Sequence, residues 1–183
     1  MRMLKSLSAV ALFLVTLSAH AQSDKNQQVI SDAKKIKQKM LEKDQGLQQF
    51  FDNSSGYVIF PNVGEGSFIV GGASGNGVVY ENGSAIGMAD LKKLDVGLQA
   101  GGQAVAEVIF FETEEALAKF KDDQFTISAE AAAVILEEGV SKNANYSDEV
   151  LVFAIPKAGL MADLSVGGQQ LSFSPFVEKI SEN

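Results

Sequence analysis

Short apolar runs cut apart by glycine dominate the middle of the chain, and no other feature restricts its fold so strongly. Tyr57-Val58-Ile59-Phe60, Phe68-Ile69-Val70, Val78-Val79-Tyr80 and the stretch from Ala85 to Leu98 follow one another here, and twelve of the 17 glycines lie between Gly56 and Gly102. β-Branched and aromatic runs of this length, bounded by Gly and Asn, predict antiparallel strands joined by tight turns such as Asn82-Gly83. Glycines inside the runs, Gly71, Gly72, Gly101 and Gly102, predict bulges or sharp strand curvature, as in a barrel or a strongly coiled sheet. Closure would also remove exposed edges.

The flanks read differently. From about Ser23 to Asp52 the apolar residues Val29, Ala33, Ile36, Met40, Leu47 and Phe50 recur at helical spacing. Ile30 and Leu41 sit beside the stripe, with Lys34, Lys35, Lys39 and Lys43 on the flanks and back, and Gly46 is placed to end or kink the helix. Such a stripe serves as the docking face of a core helix or, with its lysines, as a surface that lies in a membrane interface. After the glycine zone, Thr113 to Phe120 opens with a cap residue and two acids and predicts a short helix. Val108 to Phe111 and Val150 to Ile155 are continuous apolar runs, expected of strands covered on both faces. Leu160 to Val166 alternates like a half-buried strand, and Ala129 to Glu138 suits either helix or strand.

At the start of the chain, Arg2 and Lys5 precede an apolar stretch from Leu7 to Leu17 and the small-x-small triplet Ala19-His20-Ala21. This pattern predicts a signal peptide over residues 1–21, cleaved after Ala21, and a single domain over 22–183 divided into a helical segment, 22–52, and a sheet-rich body, 56–183. The apolar stretch is about half of the ~20 residues needed to span a bilayer. The chain is expected in a periplasm, peripheral to a membrane.

His20 and Arg2 are the only residues of their kinds, so the processed chain would hold no His, Arg, Cys or Trp. Ser-His and Cys-His nucleophile pairs and zinc sites of the usual nitrogen and sulfur ligands are thereby excluded. The acidic doublets Glu114-Glu115, Asp122-Asp123, Glu137-Glu138 and Asp148-Glu149 diverge on any regular element and read as solvated surface. No metal, cofactor or enzymatic activity is expected. With 13 Lys against 23 acids the processed chain carries a formal −10, so nucleic acid is not an expected partner. The charge is uneven: residues 22–43 carry +3 and the rest −13. The first segment is therefore suited to meet an anionic surface or to lie against the acidic body.

The run Gly71-Gly72-Ala73-Ser74-Gly75-Asn76-Gly77 has the wrong spacing for a dinucleotide fingerprint and no Gly-Lys-Ser/Thr of a P-loop. A hairpin turn accounts for it better.

Several stretches taken in order resemble the SYLF-domain family, which includes a yeast actin-binding endocytic protein. They are Phe60-Pro61-Asn62-Val63 with Gly66, Phe68, Gly71-Gly72 and Gly75-x-Gly77-Val78; Val96-Gly97-Leu98-Gln99-Ala100-Gly101-Gly102-Gln103 with Glu107-Val108-Ile109-Phe110-Phe111; Ala116-Leu117 to Phe120; and Lys157-Ala158-Gly159-Leu160-Met161-Ala162 with Gly167-Gly168-Gln169. The resemblance implies a lipid-binding module whose eukaryotic members bind phosphoinositides and actin through a basic amphipathic helix, and whose exported bacterial members bind phospholipid in the envelope. Actin is not expected in a periplasm. Carried onto this chain, the basic-helix role falls on Lys34, Lys35, Lys37, Lys39 and Lys43. The absence of Arg argues against tight headgroup selectivity, because Lys lacks a bidentate fork.

The expectation is an α+β fold: a curved antiparallel sheet or barrel with an N-terminal amphipathic helix and a short helix near 113–121. The expected function is non-enzymatic binding to an anionic or zwitterionic phospholipid surface. Ile30, Ile36, Met40 and Leu41 would enter the interface while the nearby lysines, Lys34, Lys35, Lys37, Lys39 and Lys43, meet phosphates. The alternative is a periplasmic assembly factor whose apolar stripe docks an envelope protein or its own sheet.

Overall fold

The computed structural model describes residues 24–64, 72–94, 105–122, 125–128, 131, 133–157 and 166–176. The expected signal peptide, residues 1–21, the glycines Gly71, Gly101 and Gly102, and most of the run Leu160 to Val166 lie outside these residues. The fold is α+β, an eight-stranded sheet curled into a half-barrel with helices on both faces. Helix α1 covers residues 24–43, followed by a 3-10 turn, Gln45–Leu47, and helix α2, Gln48–Asn53. Strands β1 (Gly56–Gly64), β2 (Gly72–Glu81), β3 (Ser84–Leu94) and β4 (Val105–Phe111) follow, then helix α3 (Glu114–Asp122) and strands β5 (Phe125–Thr126), β6 (Val134–Ile135), β7 (Val150–Pro156) and β8 (Gln170–Pro175).

In space the strands run β5-β8-β3-β2-β1-β4-β7-β6. All neighbours are antiparallel except β6 and β7, which are parallel. Among the described residues the sheet is open, and the strand at each edge is only two residues long, a short edge of the kind that limits edge-to-edge association. Curvature comes from register shifts between Ile59 and Asn62, Phe60 and Val63, and Val79 and Tyr80.

The glycine run corrects the expected hairpin turn at 71–77, since Gly72 to Gly77 lie within β2. Close approach explains them. A Cβ on Gly77 would sit 2.7 Å from the ring of Phe60 and 2.9 Å from the carbonyl of Ile59, so the backbone passes where no side chain fits. The turn at Asn82-Gly83 is as expected, with φ of 51° and 74°. Ala129 to Glu138 resolves towards strand where it is described, at β6.

β4 is buried at all seven positions and β7 at its first six, because both faces of the sheet are covered. On the inner face Phe60, Ile109, Phe111 and Leu171 pack with Leu117 and Phe120 of α3. On the outer face Tyr57, Ile59, Val78, Phe110 and Phe153 pack with Ala33, Met40, Phe50 and Phe51 of α1 and α2. α3 begins as its sequence predicts, with the Thr113 hydroxyl accepting from the Ala116 N–H at 3.1 Å and donating to Glu149 at 2.8 Å.

Asp44 turns the chain between α1 and α2. Its extended backbone, φ −145° and ψ 102°, stops the helix. Its carboxylate accepts from the Gly46 N–H and from the Ser141 N–H, each at 2.9 Å. A Cβ on Gly46 would meet the Ser141 hydroxyl at 2.1 Å, so any side chain there would force that hydroxyl to turn away.

Candidate functional site

Helix α1 presents two surfaces. Ala33 and Met40 are fully buried, and Val29, Ile30, Ile36 and Leu41 pack half-buried against the same outer-face core. Of the two dispositions expected for the stripe, the structure has the docked one: Ile30, Ile36, Met40 and Leu41 face the sheet, and Met40 is a core residue. The aromatic outer face is a better solvent for them than water. Lys34, Lys35, Lys39 and Lys43 are exposed around the rest of the helix. Lys35 pairs with Asp32 at 2.9 Å one turn away, an exposed contact of small energetic weight.

Lys37 behaves differently from the other lysines. It leans from the edge of the docked stripe over the rings of Phe51 and Tyr57, 4.3 and 4.9 Å from their centroids, and donates to the Tyr57 hydroxyl at 2.9 Å. Tyr57 in turn stacks on Tyr80 at 4.9 Å and meets Phe51 edge-on at 5.0 Å. The ammonium is thus fixed by cation–π attraction and one neutral hydrogen bond. Burial pushes its pKa below the ordinary lysine value, and the Asp52 carboxylate acts in the opposite sense. Burial likewise pushes the Tyr57 and Tyr80 phenols up to about 12. Among the described residues no carboxylate lies within ion-pair distance of Lys37 or Lys34.

An open groove of about 630 Å³ runs along this flank, lined by Lys34, Lys37, Gln38, Leu41, Glu42 and Gln45. The Gln38 amide donates to the Glu42 carboxylate at 2.8 Å. The groove therefore joins two cations, two amides and one apolar side chain to an acid already engaged by its neighbour. It gathers Lys34, Lys37 and Leu41 of the residues anticipated from sequence, whereas Lys35 lies on the far side of the helix. Phe51, Tyr57 and Asp44 were not legible as site residues. Tyr57 read only as a strand residue, and nothing local marks Asp44 as the partner of Ser141, 97 positions away.

A second polar feature lies inside the half-barrel. Glu107 and Gln169 are both buried, with the Gln169 amide 3.2 and 3.4 Å from the two carboxylate oxygens. Both belong to stretches that carried the family resemblance. Among the described residues, no group of three or more metal-ligating side chains comes together and no helix is long and apolar enough to cross a membrane.

Residues 92–175 match the family model Ysc84, described as Las17-binding protein actin regulator. No curated protein matches the chain. The matched segment runs from the end of β3 to the last residue of β8, so the groove on α1 precedes it. Over residues 92–175, somewhat under half of its length, the chain is similar to the SYLF family.

Proposed function

We propose that this chain is a non-enzymatic phospholipid-binding protein of a bacterial-type cell envelope, exported by a cleaved signal peptide and contacting a periplasmic leaflet without crossing it. The observation that carries the reading is the helix α1, whose apolar stripe is satisfied by the sheet while Lys34, Lys35, Lys39 and Lys43 stay exposed. Near an anionic surface each lysine contributes ~1 kcal/mol. The +3 segment ahead of a −13 remainder orients the approach, drawing α1 toward the lipid and holding the body away. The chemistry calls for no cofactor, and neither nucleic acid nor actin is proposed as a partner.

Flotation with vesicles of phosphatidylglycerol and phosphatidylethanolamine tests the reading. The parent floats, and the variant with Lys34, Lys35, Lys39 and Lys43 changed to Glu does not. Equal flotation of the two would remove α1 from the mechanism. A second reading, an assembly factor that binds an envelope protein, draws on the protein-binding role in the matched family's description and on the docked stripe. A parent that ignores every vesicle favours it.

A further inference from the structure

A half-buried ammonium held only by rings and a neutral hydroxyl is electrostatically unfinished. Lys37 has that arrangement, and it lines a groove that a second cation, Lys34, without an ion pair among the described residues, also lines. A cation–π contact lowers the cost of partly desolvating the charge but leaves its positive field directed outward. Asp52 acts on Lys37 from beyond ion-pair distance, and Glu42, the one carboxylate among the lining residues named above, is engaged by Gln38. The groove is shallow and open, about 630 Å³, with room for a phosphate ester that stays partly solvated. Leu41 supplies an apolar wall for the organic part of an ester.

We propose that this groove is a binding site for one phosphate group, with Lys37 as its pre-positioned contact and Lys34 as its second cation. The inference rests on the phospholipid reading for its natural ligand, a headgroup phosphodiester, although the same chemistry would take a free phosphate. Tyr57 is a positioning residue here, since it fixes the Lys37 ammonium without touching the ligand. The site differs from diffuse attraction to a charged surface, because one lysine should matter far more than its equally charged neighbours.

Amide and tyrosine-ring chemical shifts of the full processed chain are followed while inorganic phosphate, or dihexanoyl phosphatidylglycerol below its micelle concentration, is added. Saturable shifts confined to residues 34–45 and Tyr57 are expected. Saturation by inorganic phosphate identifies the ion as a sufficient ligand, and saturation by the lipid alone identifies the esterified headgroup. Lys37→Met, which keeps the stem over the rings, should weaken binding at least about tenfold, the scale of one charge-assisted hydrogen bond. Lys35→Met should stay within about twofold, and Lys37→Arg should restore binding. No saturable shift with either probe, or equal affinity in Lys37→Met, overturns the site. Vesicle flotation separates the two proposals: a parent that floats without saturable shifts loses the groove and keeps the lipid reading, whereas saturable phosphate binding without flotation does the reverse.

Discussion

Replacing Asp44 by Ala should loosen the junction between α1, α2 and the rest of the fold. The side chain is 6% exposed and accepts two backbone N–H groups, from Gly46 and Ser141, each at 2.9 Å. Hydrogen bonds to a charged group contribute ~1.5–3 kcal/mol each. Their sum is reduced because the variant no longer buries a carboxylate, and because the half-exposed Gly46 N–H can turn to water. The Ser141 N–H cannot, so a net loss of about 3 kcal/mol is expected. For a domain of this size that lowers the melting temperature by roughly 6–12 °C. Asp44→Asn keeps one acceptor and should lose about half as much. Circular dichroism at 222 nm gives the melting temperature, and hydrogen exchange locates the damage at residues 44–47 and 140–143. A melting temperature within about 2 °C of the parent, with the Ser141 amide still protected, would refute the argument. The pH dependence has a definite sign. Burial pushes the Asp44 carboxyl up, but the Ser141 and Gly46 N–H groups outweigh it, so its pKa falls below the ordinary 3.8. A carboxyl depressed on folding contributes stability that is complete above 3.8 and lost as the pH falls through the folded value. Asp44→Asn should therefore flatten the acid limb of the stability curve.

Two further outcomes test other parts of the fold. Burial pushes the phenols of Tyr57, Tyr80 and Tyr146, the chain's three tyrosines, up to about 12. Absorbance at about 295 nm should thus show no phenolate near the ordinary value of about 10, and stability should decline above that pH because the unfolded chain ionises first; a full phenolate signal with native circular dichroism at pH 10.5 would contradict the burial. At the β3–β8 contact, a Cβ on Gly87 would lie 2.4 Å from the Phe173 ring and 2.5 Å from the Ser174 carbonyl. Gly87→Ala should cost about 2–3 kcal/mol in urea denaturation, and a loss below about 0.5 kcal/mol would show that the two strands part easily.

Local patterns carried much of the architecture. The continuous runs at 108–111 and 150–155 became strands covered on both faces, and Thr113 capped α3 where its type and spacing said it would. Glycine was harder to read, because the same residue serves a positive φ at Gly83 and a close backbone approach at Gly77. The Phe60 ring and the Ile59 carbonyl, seventeen and eighteen positions earlier, distinguish the second case. The amphipathic stripe of α1 was legible, but its destination was not. Periodicity records that one face avoids water and is silent on whether a sheet or a lipid receives it. The Lys37 cage was hidden for a related reason: Phe51 and Tyr57 belong to separate elements, and only folding sets both rings beneath one ammonium.

The docked state of α1 determines how it can meet a membrane. Burying Met40 alone is worth ~1.5–3 kcal/mol, and Ala33 with the half-buried Val29, Ile30, Ile36 and Leu41 brings the docking face to roughly 5–8 kcal/mol. The five exposed lysines of α1, Lys25, Lys34, Lys35, Lys39 and Lys43, at ~1 kcal/mol each near an anionic leaflet reach only the lower end of that range, and they are already available while the helix is docked. Charge attraction therefore draws the intact protein to the surface without detaching the helix. A helix that peeled away would have to rebury its stripe in lipid, and it would strip Ala33 and Met40 from the outer-face core. The two modes answer differently to salt, because contact through exposed lysines weakens as the Debye length contracts from about 8 Å at physiological ionic strength to about 3 Å at 1 M. An inserted apolar stripe keeps its hold under the same conditions, since removing apolar surface from water needs no charge.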